Sequence, residues 1–293
     1  MDYKIIEIVK RAYDLHVHIG PEVIPRKFTA QSLEIAEKDN LAGCVLKNHY
    51  YSSAAMFDAK AVDGIELFGS VVLNNSVGGM NSEAIFAASF VSKQPILVWF
   101  PTINSEQFLR SNKYEIAPEW VEDKSLKLKP ANEVRPVMAT SDGELLPKTK
   151  KVIETIALVK GVLATGHIAA KECILVAQLA RSMGVPVIIT HPIYQHISMT
   201  IEQQKYLAGL GCFIEQTYSM YSMDSYSIAA IADQIKAVGP RFVVLSSDVG
   251  QKFSPKPSEA LAIFAKLLVG QGFTLKDIET MMIANPKKVL GIQ

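Results

Sequence analysis

Asp14-Leu15-His16-Val17-His18 places two imidazoles two residues apart at the end of a short apolar segment, with Ile19-Gly20-Pro21 directly after it. In a strand alternate side chains share a face, so this spacing predicts Asp14, His16 and His18 projecting together while Leu15, Val17 and Ile19 pack behind them. Two imidazoles on a rigid strand can grip one divalent metal ion, and the preceding carboxylate can orient a ring nitrogen from behind. The competing reading is a polar face with two solvated histidines. The continuous apolar face opposite and the immediate Gly-Pro break argue against it.

The chain has six histidines, few enough that their positions test the idea. His49 ends Val45-Leu46-Lys47-Asn48-His49, His167 ends Leu163-Ala164-Thr165-Gly166-His167, and His191 ends Val187-Ile188-Ile189-Thr190-His191. Only His196 lies off a strand-like run. Histidines that merely filled the core or surface would scatter over helices and loops, so this grouping points to a shared site. Asp248 follows the apolar run Phe242-Val243-Val244-Leu245-Ser246-Ser247. A carboxylate there is expected at the strand mouth, able to bind a metal and to take a proton from water. It could instead cap a helix, but Gly250 to Pro257 does not look helical.

These residues need a scaffold that brings strand ends together. Strand-like runs cover 12–18, 43–49, 65–73, 95–100, 162–167, 186–191, 211–216 and 241–247. Amphipathic helical stretches lie between them: Thr29 to about Asn40, Ser82 to Ser92, Lys148 to Lys160, Ile168 to Met183, Asp224 to Val238 and Ser258 to Val269. Eight strand-helix repeats in 293 residues predict one domain, a (β/α)8 TIM barrel, whose strands end at a common rim. The runner-up, an open doubly wound sheet, lacks a GxGxxG turn after the first strand. The repeat is interrupted over about 101–146, an insertion after the fourth strand. This stretch has no clear helix, carries Pro101, Pro118, Pro130 and Pro136, and reads as a β-hairpin over Val134 to Leu146 turning at Ser141-Asp142-Gly143. An insertion there falls on the catalytic rim of a barrel, as a lid, a contact between copies or a plain loop.

A net charge of +1 with 20% charged residues gives no basic stripe for nucleic acid. No apolar run reaches membrane-spanning length, and Met1-Asp2-Tyr3-Lys4 is no signal peptide. Cys44, Cys173 and Cys212 form no CxxC pair and no even framework, so a reducing, cytoplasmic setting is expected. The partner is then a small-molecule substrate; assembly into a homo-oligomer stays open.

HxH ending the first strand, histidines ending the fifth and sixth, and Asp248 ending the eighth resemble the amidohydrolase superfamily of metal-dependent barrel hydrolases. The closing Ala284-Asn285-Pro286-Lys287-Lys288-Val289-Leu290-Gly291 is similar to that superfamily's terminal helix. The resemblance implies His16, His18, His167, His191 and Asp248 as metal ligands, Asp248 as acid/base, and zinc as the expected ion, one or two per chain. It departs at the fourth strand, Ile96 to Pro101, which offers no bridging Lys or Glu. The second strand instead presents Lys47 and His49, and His49 resembles a metal-binding histidine of the PHP phosphoesterases, with Asn48 in place of that motif's Asp. Lys47 could be carboxylated as a bridge, bind a substrate anion, or pair with Asp14, the usual fate of a buried lysine near a carboxylate.

Three further residues are candidates for supporting the ligands or touching substrate. Glu215 ends the seventh strand, Glu172 opens the helix after His167, and Arg26 sits in the loop after the first strand, where it could recognise a carboxylate or phosphate. The expected reaction is attack of activated water on the carbonyl of an amide, lactone or ester. Phosphoester hydrolysis, decarboxylation, or a metal-stabilised barrel that only binds a partner are the alternatives.

Overall fold

Alternation within each apolar run sends every second side chain into one shared interior, and that interior closes on itself. A computed structural model describes residues 2–58, 64–92 and 94–293. Its parallel strands are β1 (Tyr13–His18), β2 (Gly43–Lys47), β3 in two segments (Glu66–Phe68 and Ser70–Val72), β4 (Leu97–Trp99), β5 (Val162–Ala164), β6 (Val187–Ile189), β7 (Phe213–Thr217) and β8 (Val243–Ser246). Pairing runs β1-β2-β3 through the first segment of β3, and β3-β4-β5-β6-β7-β8 through the second. The ends meet where Val17 bridges Val249, His18 N–H donates to Val249 O at 2.9 Å and Asp248 N–H donates to His16 O at 2.9 Å. This is the expected eight-stranded barrel with helices outside it.

The break in β3 has a local cause. Ser53 takes the place of a ladder partner: its Oγ accepts from Ser70 N–H at 2.8 Å, and Ser70 Oγ donates back to Leu46 O at 2.6 Å. Gly69 makes room, since a Cβ there would lie 2.6 Å from the Ala54 Cβ.

Inward-facing Leu15, Val45, Phe68, Val72, Leu97, Trp99, Val162, Ile188, Phe213 and Val244 fill the barrel, and Val289 and Leu290 of the helix Asn285–Leu290 join the same cluster. The terminal segment singled out in the sequence thus plugs the end opposite the strand mouths, tied by Asn285 Nδ2 donating to Val243 O at 2.6 Å. Outward-facing Leu46, Val71, Val98, Leu163, Ile189 and Leu245 meet the helices. Among the described residues no helix is long and apolar enough to cross a membrane.

The strand-helix alternation matches the structure in six helices, whose bounds shift by a few residues, for example to Ala30–Glu37 capped by Thr29. Two expectations for the 101–146 segment need correction. It holds a helix, Glu106–Ser111, capped by Ser105, and its hairpin shrinks to Thr140–Ser141 and Glu144–Leu145 around Asp142-Gly143. Both turn residues have positive φ, which suits a tight two-residue hairpin.

Candidate metal centre

A β-bulge in β1 decides what faces the barrel interior. Tyr13 and Asp14 pair with Gly43 and Cys44, but Val17 and His18 pair with Leu46 and Lys47, so β1 spends one more residue than β2 between these pairs. The extra residue reverses the alternation. Tyr13 and Leu15 point inward below the bulge, and His16 and His18 point inward above it. Asp14 therefore lies on the face opposite His16, contrary to the simple alternating strand. It orients no ring nitrogen. Its Oδ1 accepts from the backbone N–H of His16 at 3.1 Å and of Ser247 at 3.0 Å, so it pins the bulge to the neighbouring β8–β1 seam. Complete burial pushes its carboxyl up to about 7, against the pull of those donors.

Above the bulge three donors converge. His16 Nε2 and His18 Nε2 lie 3.0 Å and 3.1 Å from Asp248 Oδ1. Asp248 Oδ2 accepts from Ser219 Oγ at 2.7 Å and lies 4.0 Å from His191 Nε2. Asp248 has φ of 53° and His191 of 21°, left-handed conformations uncommon outside glycine that turn each side chain off its strand end. The His191 ring is 5.9 Å from that of His16, and the His167 ring is 5.2 Å beyond His191. Sequence reasoning thus brought together five residues from four strands. His16, His18 and Asp248 form the tight group, His191 stands next to it, and His167 stands one ring further out.

Two carboxylates flank His16. Glu215 on β7 is fully buried, with both oxygens 3.3 Å from His16 Nδ1, while Asp248 faces Nε2. Burial pulls the His16 pKa down, but Asp248 and Glu215 outweigh it and the opposing charge of Lys47, and the net shift is upward. Positive charge is favoured at this point. Burial alone would raise Asp248, yet His16 and His18 hold it well below the usual carboxylate range. Burial is the leading cause that keeps His18, His49 and His167 well below their ordinary value and His191 down at about 4. Neutral imidazoles offer lone pairs.

If His16 holds a metal ion, Glu215→Gln is expected to lower its affinity 10- to 100-fold, the usual cost of losing a carboxylate behind a ligand histidine. Competition against a chromophoric chelator measures it. Unchanged affinity would mean that Glu215 does not set the orientation or basicity of His16.

Lys47 does not pair with Asp14. Its Nζ lies 3.0 Å from His16 Nε2 and 4.1 Å from the centre of the Trp99 ring. Burial lowers its pKa to about 8, opposed by Asp248 and Glu215. Glu172 is absent from the site, because its carboxylate is spent on local structure: Oε2 accepts from Ala169 N–H at 3.1 Å and Oε1 from Thr140 Oγ at 2.9 Å. His49 belongs to a second potential ligand group with His18 and Glu22, a residue the sequence reading passed over. There Glu22 ion-pairs with Arg26 and accepts from His49 N–H at 2.9 Å, while His49 Nδ1 sits 3.0 Å from Thr102 Oγ1.

The donors open into a cavity of about 410 Å³, within the range of small-molecule sites. Its floor holds His18, Lys47, His49, His167, His191 and Asp248. Its upper walls come from the insertion, through Ile103, Phe108 and Trp120, and from the loops after β7 and β8, through Met220, Met223, Asp224 and Phe253. Lys252 and Glu122 join the insertion to the β8 loop by an exposed ion pair at 2.6 Å.

A protein-family model described as a family of unknown function, DUF6282, matches residues 11–215. No curated protein matches the chain in sequence. Among solved structures, the chain is similar to the probable dipeptidase PvdM from Pseudomonas aeruginosa, at 12% identity and a TM-score of 0.62, covering 99% of this chain and 97% of that one. It is also similar to an amidohydrolase from Pseudomonas aeruginosa (11% identity, TM-score 0.52, 98% of each chain). A third is the lactonase Lmo2620 from Listeria monocytogenes (12% identity, TM-score 0.51, 98% of this chain and 96% of that one). At these identities the likeness is one of fold, the parallel α/β barrel that the strand-helix alternation predicted.

Proposed function

The chain belongs to the DUF6282 family, and we propose that it is a metal-dependent hydrolase acting on the carbonyl of a small amide, lactone or ester. The observation that carries this reading is the meeting of His16 Nε2, His18 Nε2 and Asp248 at the mouth of a closed barrel. Donor atoms about 2.0–2.2 Å from a zinc ion sit roughly 3 Å or slightly more from each other, and Asp248 Oδ1 lies 3.0 Å from His16 Nε2 and 3.1 Å from His18 Nε2, all three donors falling within 4.8 Å of one another. Nitrogen and oxygen donors, the neutral rings of His18 and His191 and the carboxylates that favour positive charge at His16 suit a divalent ion such as zinc. His16, His18 and Asp248 would hold it, with His191 alongside. When bound, such an ion supplies Lewis acidity and lowers the pKa of water to about 7. That similar barrels carry the names lactonase and amidohydrolase supports a hydrolytic reading.

The chain's own groups supply the remaining chemistry. Asp248 is held ionised and oriented by Ser219, so it can take a proton from attacking water and return it to the leaving group. Glu215 fixes the ring of His16, and the apolar walls of the cavity exclude bulk water around the reacting carbonyl. One ion is favoured over two. In the His18–Glu22–His49 group, Glu22 is already committed to Arg26 and to the His49 backbone, leaving little charge for a second ion.

The test is metal content followed by turnover. Protein from zinc-supplemented expression is expected to hold about one equivalent, retained in His49→Ala and lost in His16→Ala. Lactones, amides, esters and phosphoesters assayed together should respond in one of the first three classes. A metal-free protein overturns the reading, and turnover confined to phosphoesters replaces it with the phosphatase alternative.

A further inference from the structure

Arg26 is a guanidinium buried in the wall of the cavity with bonding capacity left over. Its side chain is 2% exposed, its Nε donates to Glu22 Oε1, and its Nη1 has no partner. It lines the cavity together with His18, Lys47, His49 and Asp248. The loop that carries it is held on both sides: Gly20 N–H donates to Phe28 O at 2.8 Å, Lys27 N–H donates to Gly250 O at 2.7 Å, and Arg26 itself bridges Gln251. Glu22 is fixed in turn by the His49 backbone. A buried guanidinium with an unmade hydrogen bond is costly unless an acceptor arrives, and here the acceptor would arrive through the cavity.

We propose that Arg26 anchors a carboxylate of the substrate, so that the molecule hydrolysed is a small monoanionic acid with an apolar body. The placement of that carboxylate beside a scissile carbonyl rests on the hydrolase reading; the binding itself does not. The choice of a carboxylate follows from charge. Glu22 offsets part of the Arg26 charge, and Asp224 and Asp248 balance Lys47 and what remains along the cavity, so a singly charged group matches this lining better than a phosphate dianion. The apolar body follows from Ile24, Ile103, Phe108, Trp120, Met220 and Phe253, which line the same cavity.

Calorimetric titration with phenylacetate, its neutral isostere phenylacetamide, and phenyl phosphate tests this in zinc-loaded and zinc-free protein. Phenylacetate is expected to bind more tightly than the other two. Arg26→Gln should weaken it about 10- to 100-fold and leave phenylacetamide unchanged, the scale of a lost charge-assisted hydrogen bond. Arg26→Lys keeps the pairing with Glu22 and should fall between. Because Arg26→Gln strands the Glu22 carboxylate, the double variant Glu22→Gln/Arg26→Gln, checked by thermal melting, must show the same loss. Asp248→Asn should keep Arg26-dependent binding whether or not the protein is a hydrolase, which separates this proposal from the reaction. Equal binding of phenylacetate and phenylacetamide overturns it, as does wild-type affinity in Arg26→Gln or tighter binding of phenyl phosphate.

Discussion

Asp248→Asn is expected to lower turnover of the responsive substrate by about 10²- to 10⁴-fold, the range that a positioned acid/base contributes. The asparagine preserves size and can still accept from Ser219, so the loop after β8 should keep its shape. What disappears is a negative charge that faces His16 and His18 at once. Metal affinity should therefore fall together with turnover. The two effects separate under saturating zinc: restored metal content with turnover still depressed identifies the proton-transfer role, whereas full recovery assigns Asp248 to metal holding alone. Turnover equal to wild type under ordinary conditions would rule out both roles.

Gly166→Ala should destabilise the protein by about 2–5 kcal/mol and displace His167. Gly166 has φ of 60°, where an alanine Cβ costs about 1–2 kcal/mol on its own. The added Cβ would also overlap the carbonyl oxygen of Phe100 and lie 2.7 Å from that of Pro101. These are backbone atoms at the end of β4, and His167 N–H donates to the Pro101 carbonyl at 2.9 Å, so relief requires moving the segment that carries His167. Overpacking of this kind adds about 1–3 kcal/mol. Thermal melting reads the loss of stability, and zinc titration reads any change at the site. A melting temperature equal to wild type would show that the β4 and β5 ends yield freely.

Much of this was legible in the chain because two signals are strong. Apolar runs such as Val243-Val244-Leu245 and Val187-Ile188-Ile189 fix strands with little ambiguity, and their number fixes the barrel. Histidine is rare here, so its recurrence after such runs stood out. Glu215 could be anticipated because a carboxylate follows the apolar run Cys212-Phe213-Ile214, although β7 continues past it to Thr217. Several of the misreadings share a cause, dependence on partners distant in sequence. Glu22 matters because a loop folds back against the end of β2, and only its i,i+4 spacing to Arg26 hinted at the pair. Ser219 and Thr102 gain their roles from the turns that follow β7 and β4. Glu172 had a local signal that was underweighted, since a glutamate at the third position of a helix ordinarily closes back on the first turn. The six-residue helix Glu106–Ser111 is too short to display a period.

The bulge in β1 frees one strand from a choice that regular alternation would impose. In a regular strand an odd-numbered aromatic in the lower layer forbids an even-numbered ligand in the upper one. Here Tyr13 and Leu15 seal the barrel while His16 and His18 serve its mouth. Regular pleating with every residue of β1 kept would send one of these two sets into the helices. The lower half of β1 can thus be repacked for stability, and the upper half altered for reactivity, as long as the irregularity between them is kept.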